Sequence, residues 1–466
     1  MARIIVTGGG MGGLTAAMLL AGDGHDVTVL ERDAAPPGDP ETAWEDWERR
    51  GVNQFRLLHF FLPLFRQIME AELPAVSKQI EAAGALRLNS VVDAPEFLRG
   101  PVRVDDSRYD GLTARRPVME AIVARCAAET VGVTVRRGIG VAGLVAGGGA
   151  VPHVTGVRTE HGEELSADLV VDATGRRSPL PSWLEAIGGR RPAEEVDDSG
   201  FVYYGRHFTS ADGSLPAVMG PLLQSYGSIS CLSLPCDHGT WGLGIIASSG
   251  DAALRGLRHA DVWDRVARAL PLTTHWLDGS PLESEPTVMA KIEDRHRSFC
   301  VDGEPVATGV LALGDSWACT NPSVGRGASI ALRHAVALRD LLRTAPSDPR
   351  ALALAWHDTT AAVVEPMFRA TLDFDRGRLA EIDAEVTGRE YTPDPGWELT
   401  RALMSSAFKD PDCFRAFLTI VSVLALPEEV FADTEVFRKV IELGSGWRDD
   451  PPLGPSRAEL LTLVEG

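Results

Sequence analysis

Apolar positions along this chain fall into two rhythms, and their order sets the architecture. Arg3–Thr7 is a short apolar run with strand spacing. Six residues, Gly8–Gly13, interrupt it before a nearly unbroken apolar stretch to Leu20, which predicts a buried helix. Val27–Leu30 predicts a second strand. Residues 34–50, rich in Pro, Asp and Glu, predict a loop leading into a short acidic helix. Across 51–85 the spacing of Leu58, Phe61, Leu62, Phe65, Ile68 and Met69 predicts helix. Helix is predicted again over 117–130, with Pro117 suited to its first turn, followed by a strand at Val133–Val135 and a turn at Gly147–Gly149. Asp168–Asp172 reads as a buried strand. From 200 to 250 the pattern changes: Phe201–Phe208, Tyr226–Leu234 and Trp241–Ala247 are rich in aromatic and β-branched residues, with Gly, Pro and Asp between them. That predicts an antiparallel sheet. Helix follows at 255–276, strand at Gly309–Leu313, and helix from about Ala328 to Leu342. After a break at Pro346–Pro349, residues 351–440 are helical in pattern, including Ala351–Gly377 and Cys413–Leu424.

The glycine interruption carries the first chemical signal. Gly8, Gly10 and Gly13 occupy the three positions of G-x-G-x-x-G between a strand and a helix, and Glu31 ends the next strand. The first glycine permits a tight turn, the second lets backbone approach a pyrophosphate, and the third lets the helix sit close to the strand. The helix start then presents free N–H groups and a positive dipole end to the phosphates. Glu31 stands where a carboxylate accepts hydrogen bonds from both hydroxyls of an adenosine ribose, which favours FAD or NAD over NADP.

Composition narrows the partners. Among 466 residues, 44% are apolar and 24% charged, an ordinary globular balance, and the formal net charge is -20. Such acidity opposes nonspecific binding to nucleic acid or to an anionic membrane surface. No apolar run is long enough for a transmembrane segment, and the N-terminal strand does not read as a signal peptide. Cys126, Cys231, Cys236, Cys300, Cys319 and Cys413 form no C-x-x-C pair and no zinc pattern, so no metal site is predicted. Reduced thiols in a cytoplasmic protein are the expectation.

Two later segments complete the first. One is Asp172-Ala173-Thr174-Gly175-Arg176, at the end of a buried strand. The other is Gly314-Asp315 followed by Asn321-Pro322-Ser323-Val324-Gly325-Arg326-Gly327-Ala328. In this order the three segments resemble the group A flavoprotein monooxygenases, the para-hydroxybenzoate-hydroxylase fold, over about residues 1–345. Within that superfamily, Gly51–His59 is similar to a segment of bacterial FAD-dependent epoxidases of polyether biosynthesis and their uncharacterised relatives. The chain departs from them in carrying Leu57 where they have a further histidine.

The resemblance implies non-covalently bound FAD held by Gly8, Gly10, Met11, Gly12, Gly13, Glu31, Arg32, Gln54, Arg56, Arg116, Gly314, Asp315, Pro322, Gly325, Gly327 and Ala328. Asp315 would hydrogen-bond the sugar-alcohol chain, and the following loop would wrap the ring. The implied reaction is hydroxylation or epoxidation of a hydrophobic small molecule through a flavin hydroperoxide, in secondary metabolism. O2 is the oxidant, and NAD(P)H or a separate flavin reductase supplies electrons, since only one dinucleotide fingerprint is present. No Ser-His-Asp order or H-E-x-x-H motif points to hydrolysis. Tyr203, His207, Tyr226 and Trp241, with Phe201, are the larger side chains expected to wall a substrate pocket.

The expected fold is α/β: a Rossmann-like FAD-binding domain (1–180, with an inserted helical segment at about 40–110, and 281–345), an antiparallel-sheet substrate domain (181–280) and a C-terminal helical extension (346–466). A geranylgeranyl-reductase type of reductase or dehydrogenase, a flavin-dependent halogenase and a non-catalytic flavin-binding protein share this fold. A halogenase requires a lysine near its oxidant channel, and none of Lys78, Lys291, Lys409 and Lys439 sits in such a motif. Residues 346–466 either cover the flavin domain or close the substrate pocket, with Phe414, Phe417, Ile420 and Leu424 as candidate walls.

Overall fold

A computed structural model describes residues 1–344 and 346–466. A five-stranded parallel sheet runs in the order Val310–Ala312, Leu169–Asp172, Arg3–Thr7, Asp26–Glu31, Val133–Arg137. Its strands are near-continuous apolar runs because helices cover both faces. The helix Met11–Gly22 lies between the helices Arg116–Glu129 and Gly327–Thr344. Its apolar residues are buried on every side, Leu14 and Leu20 almost completely.

The second layer is a six-stranded antiparallel sheet built on Phe201–Thr209, Ile229–Pro235 and Thr240–Ser248. Strand alternation gives it two unlike faces. One packs on the helices Ala260–Ala269 and Arg457–Glu465 through Tyr226, Trp241, Trp263 and Trp276, and the other faces the parallel-sheet layer.

Several local expectations change. Leu58, Phe61 and Leu62 are not helical: 51–59 is a series of turns, Phe60–Phe61 is a strand, and helix begins at Pro63. Leu57 and Leu58 instead press onto Gly205 of the antiparallel sheet, and Leu58 also onto Gly242 and Gly244. The helical insert at 40–110 also contains a three-stranded sheet, Phe60–Phe61, Asp110–Thr113 and Leu86–Asn89. The run Tyr226–Leu234 is a hairpin corner, with Gly227 and Ser228 turning the chain between two strands. The antiparallel sheet does not end at residue 280. Ser280–Pro281 and Thr287–Met289 both pair with Phe201–Thr209. Ala351–Gly377 is two helices, Pro349–Val363 and Glu365–Thr387, because Pro366 has no N–H with which to continue the first.

Beyond these, the helices Pro395–Ala407, Pro411–Val421, Pro427–Phe431 and Thr434–Gly444 follow. Asp348, Asp394, Asp410 and Asp433 each accept backbone N–H bonds at a helix start. Every such cap satisfies donors that would otherwise be orphaned. Among the described residues no helix is long and apolar enough to cross a membrane.

Candidate functional site

One cavity of about 1330 Å³ runs along the carboxyl ends of the parallel strands. That is where open α/β sheets place ligands. Gly8, Gly10, Met11, Gly12 and Gly13 line one end, with Glu31 and Arg32 beside them. The three fingerprint glycines have separate reasons to be glycine. Gly8 has φ +105°, and a Cβ there would stand 2.4 Å from the Ala173 carbonyl oxygen. A Cβ on Gly13 would stand 2.1 Å from the Gly8 carbonyl oxygen. A Cβ on Gly10 would meet no protein atom within 4 Å, so the space before it is open for a ligand.

Glu31 is buried, and the protein already uses it. One carboxylate oxygen accepts from the Gly9 N–H (2.8 Å) and from Arg49 (2.6 Å), and the other accepts from the Asp33 N–H (2.8 Å). Arg49 also reaches Glu120 (2.7 Å), Asp33 (3.4 Å) and the Gly9 carbonyl (3.0 Å). Sequence reading missed Arg49, which lies in the acidic loop with no motif around it. Only folding brings three carboxylates to it.

Arg116 lines the cavity, held by Glu120 (2.6 Å) and by His59 (3.2 Å). His59 donates from Nδ1 to the Leu57 carbonyl (2.8 Å), so its Nε2 accepts from Arg116. Burial and the Arg116 charge push His59 down to about 3, leaving it neutral. Burial alone would raise Glu120, but Arg116 and Arg49 hold it below the usual carboxylate range.

Gly314 and Asp315 follow the strand Val310–Ala312 and enter the cavity wall. The Gly314 N–H donates to Nδ1 of His334 (3.1 Å), whose Nε2 donates to Thr360 (3.1 Å) and whose ring stacks on Trp356 at 4.5 Å. Burial pushes His334 down to about 3, so it remains the neutral acceptor this turn needs. Nothing in the sequence marked His334, since an isolated histidine inside a helix carries no signal. Burial raises the Asp315 pKa, against the opposing charges of Arg176 and Arg116. Pro322 and Gly325 line the next stretch, and Gly327 and Ala328, the first residues of the helix Gly327–Thr344, follow them in the lining. Gly325 sits at φ +69° with a would-be Cβ 3.4 Å from the Phe60 carbonyl oxygen.

Of the residues expected around FAD, Gln54 lines the cavity and Arg56 does not. Arg56 turns back to the Trp44 carbonyl (3.1 and 2.8 Å) and lies over the Trp44 ring.

The pocket-wall expectations are also corrected. Tyr203 lines the cavity and its hydroxyl bonds Asn321 (2.5 Å). Asn321 in turn donates its N–H to Asp294 (2.6 Å), a carboxyl that burial pushes up to about 6. Tyr226 and Trp241 lie on the opposite face of the sheet, in the core, with the Trp241 indole N–H on the Trp276 carbonyl (2.7 Å). The cavity residues Ser225, Gly244 and Ile246 have the other strand parity. His207 has the same parity as Tyr203 but is covered by Trp44, at 4.7 Å between ring centroids, and bonds Glu283 (2.9 Å). Phe201 packs with Ile246 and Ile382, outside the cavity lining.

The C-terminal helices complete the other end. Phe374, Trp397, Leu403, Met404, Phe414, Phe417 and Ile420 all line the same cavity, and Leu424 does not. The cysteines stand apart from this wall: burial alone pushes Cys231 up to about 12, and it is chiefly burial that takes Cys236 to the same value. Among the described residues no cluster of ligands could hold a metal ion.

The donor set fits FAD. A glycine turn open at Gly10, an acid at Glu31 and a buried acid at Asp315 line one cavity.

Residues 6–57 match the family described as NAD(P)-binding Rossmann-like domain, and residues 50–185 match the tryptophan halogenase family. Protein Rv3254 of Mycobacterium tuberculosis is 27% identical over 385 residues, covering 78% of each chain. Two solved structures share the fold. The Diels-Alderase PyrE3 of the pyrroindomycin biosynthetic pathway has TM-score 0.60 at 17% identity, covering 90% of this chain and 80% of its own. PqsL, a probable FAD-dependent monooxygenase from Pseudomonas aeruginosa, has TM-score 0.60 at 17% identity, covering 83% of this chain and 98% of its own. By its parallel sheet, its glycine turn and these neighbours, the chain has the fold of PyrE3 and of PqsL.

Proposed function

We propose that this protein is an FAD-dependent monooxygenase that hydroxylates or epoxidises a hydrophobic small molecule in secondary metabolism. The observation that carries the reading is a single cavity lined by the dinucleotide turn, by Asp315 and by the apolar C-terminal helices. Gly8–Gly13 and the helix start at Met11 would hold the pyrophosphate, with Gln54 and Arg116 nearby. Glu31 and Arg32 would receive the adenosine ribose, and Asp315 the sugar-alcohol chain. Pro322, Gly325, Gly327 and Ala328 would border the ring. When bound, FAD would supply electron storage and oxygen activation, with NAD(P)H or a separate flavin reductase as electron source.

The chain's own residues set the conditions. Arg116, fixed between Glu120 and neutral His59, keeps a positive charge at the cavity wall. Tyr203 presents a hydroxyl fixed by Asn321. Phe374, Trp397, Phe414 and Phe417 exclude water from the apolar end, which is what a reactive site of this class needs.

The test is stopped-flow reduction with NADH and NADPH in the presence of apolar candidate substrates, followed by oxygen uptake. Product formation coupled to oxygen uptake supports the reading. Turnover without oxygen uptake would favour a reductase or a non-redox cyclisation.

The match of residues 50–185 favours a halogenase as second reading. Against it, none of the four lysines lines the cavity among the described residues, and Lys78 is exposed on the helix Pro74–Ala82. Halide incorporation in place of oxygen would establish it.

A further inference from the structure

Nine arginines are buried among the described residues: Arg49, Arg66, Arg115, Arg206, Arg297, Arg326, Arg339, Arg378 and Arg415. Eight of them have a carboxylate within 4 Å. Arg326 is the exception. Its guanidinium donates only to neutral groups, the Thr371 hydroxyl (3.1 Å) and, at 3.5 Å, the Ile420 carbonyl. Its Nε–H is buried with no partner. A charged side chain is seldom buried without an opposite charge, because desolvation is then uncompensated.

Arg326 lies in the loop between Gly325 and Gly327 and lines the cavity. Thr371 and Ile420, which it touches, belong to the C-terminal helices that form the apolar end. Burial lowers its pKa to about 10, with Asp375 the one charge opposing that fall, so it remains a cation at neutral pH. Every other arginine on the cavity wall that is buried or half-buried already has a partner: Arg49 and Arg116 as above, Arg176 the Thr320 carbonyl, Arg369 Glu195 and Glu365.

We propose that Arg326 is the anion-recognition residue of the substrate site, and that the substrate is an apolar molecule bearing one carboxylate or acidic enol. This deepens the monooxygenase reading by naming the chemical class at the same cavity. The apolar body would lie among Phe374, Phe417 and Ile420, and the anion would accept from the terminal guanidinium N–H groups that Thr371 and Ile420 leave free. A charge-assisted bond of this kind is about twice as strong as a neutral one and fixes orientation.

The test uses the FAD-loaded protein and matched probes with one apolar body: 2-naphthoate against 2-naphthalenemethanol, and decanoate against decanol. Binding is read by calorimetry and by perturbation of the flavin absorbance. The carboxylates should bind at least about tenfold more tightly than their alcohols. Arg326→Gln should remove that preference and leave alcohol binding unchanged, Arg326→Lys should keep part of it, and Asp375→Asn should increase it. If Arg326→Gln does not fold, the latter two variants read the same question in opposite directions. Equal binding of both heads by the wild type would overturn the proposal. So would a preference that survives Arg326→Gln, or an Arg326→Gln effect confined to the flavin midpoint potential, which would assign the charge to the cofactor. A chain that takes up no FAD defeats the monooxygenase reading alone, since calorimetry on the flavin-free protein still measures the anion preference.

Discussion

Two buried arginines mark the two ends of one cavity, and they are treated oppositely. Arg49, beside the glycine turn, is bound by Glu31, Asp33 and Glu120. Arg326, beside the apolar helices, meets no carboxylate within bonding distance. The cofactor end is completed by the protein's own groups, so its geometry is fixed before any ligand arrives. At the other end a charge is left for the ligand to satisfy. Preorganisation favours a cofactor that stays; an unpartnered buried charge favours selecting what enters, at some cost in stability.

Replacing each arginine tests this contrast most directly. Arg49→Met strands three carboxylates around a buried site and should destabilise the fold by about 3–5 kcal/mol. Arg326→Met removes a charge with no carboxylate partner and should cost less than about 1 kcal/mol or stabilise. Denaturant midpoints compare the two; equal losses would dissolve the distinction.

Glycine substitutions sharpen the cofactor end. Gly13→Ala drives a Cβ into the Gly8 carbonyl and should lower stability by about 1–3 kcal/mol as well as FAD affinity. Gly10→Ala meets no protein atom, so its melting temperature should be unchanged while FAD affinity falls. A drop in melting temperature for Gly10→Ala would mean its space is structural.

Asp315→Ala should weaken FAD by roughly 1–3 kcal/mol, about one to two decades in Kd, through sugar hydroxyls left unpaired. Fluorescence titration of released FAD measures it, and an unchanged Kd would remove Asp315 from the site.

Asp294, which accepts from the Asn321 N–H, supplies a pH test. Its folded pKa of about 6 lies above its unfolded value, so the native state binds the extra proton. Its contribution is therefore fully present below about pH 4 and is lost as pH rises through 6, on the order of 3 kcal/mol. Asn321 and Arg176 oppose the shift, and Asp197 adds to it. Asp294→Asn should flatten that decline in melting temperature between pH 4 and 7, and a parallel decline in both proteins would exclude Asp294.

The smallest effect concerns the helical wall. Polar substitution at Phe417 or Ile420 should raise the ratio of peroxide to oxygenated product several-fold by admitting water, with FAD affinity kept. Leu424, outside the lining, serves as the control and should leave the ratio unchanged. Identical ratios in all three would make the helices structural cover only.

Local rules were enough for the parallel layer. The glycine turn, the strand before it and the acid after it are contiguous, and each has a steric reason visible from a few residues. The same rules placed Gly314-Asp315 at a strand end and Pro346–Pro349 at a break. They failed at 51–62, where apolar spacing suggested helix but Leu57 and Leu58 are buried against a sheet of glycines far along the chain. They failed again for Tyr226 and Trp241, where aromatic strand residues could face either way, and for His207, which Trp44 covers.

What the sequence alone determined is therefore the cofactor-type turn and the order of layers, because those depend on backbone sterics and on periodicity within short segments. The tertiary structure decided which sheet face meets the cavity, where Arg56 points, and which of the buried arginines is left without a carboxylate. Strand parity selects a face only once a neighbouring layer covers the other. A charge is paired or unpaired only when segments far apart in the chain, such as Arg326 and Ile420 or Arg415 and Asp106, have come together.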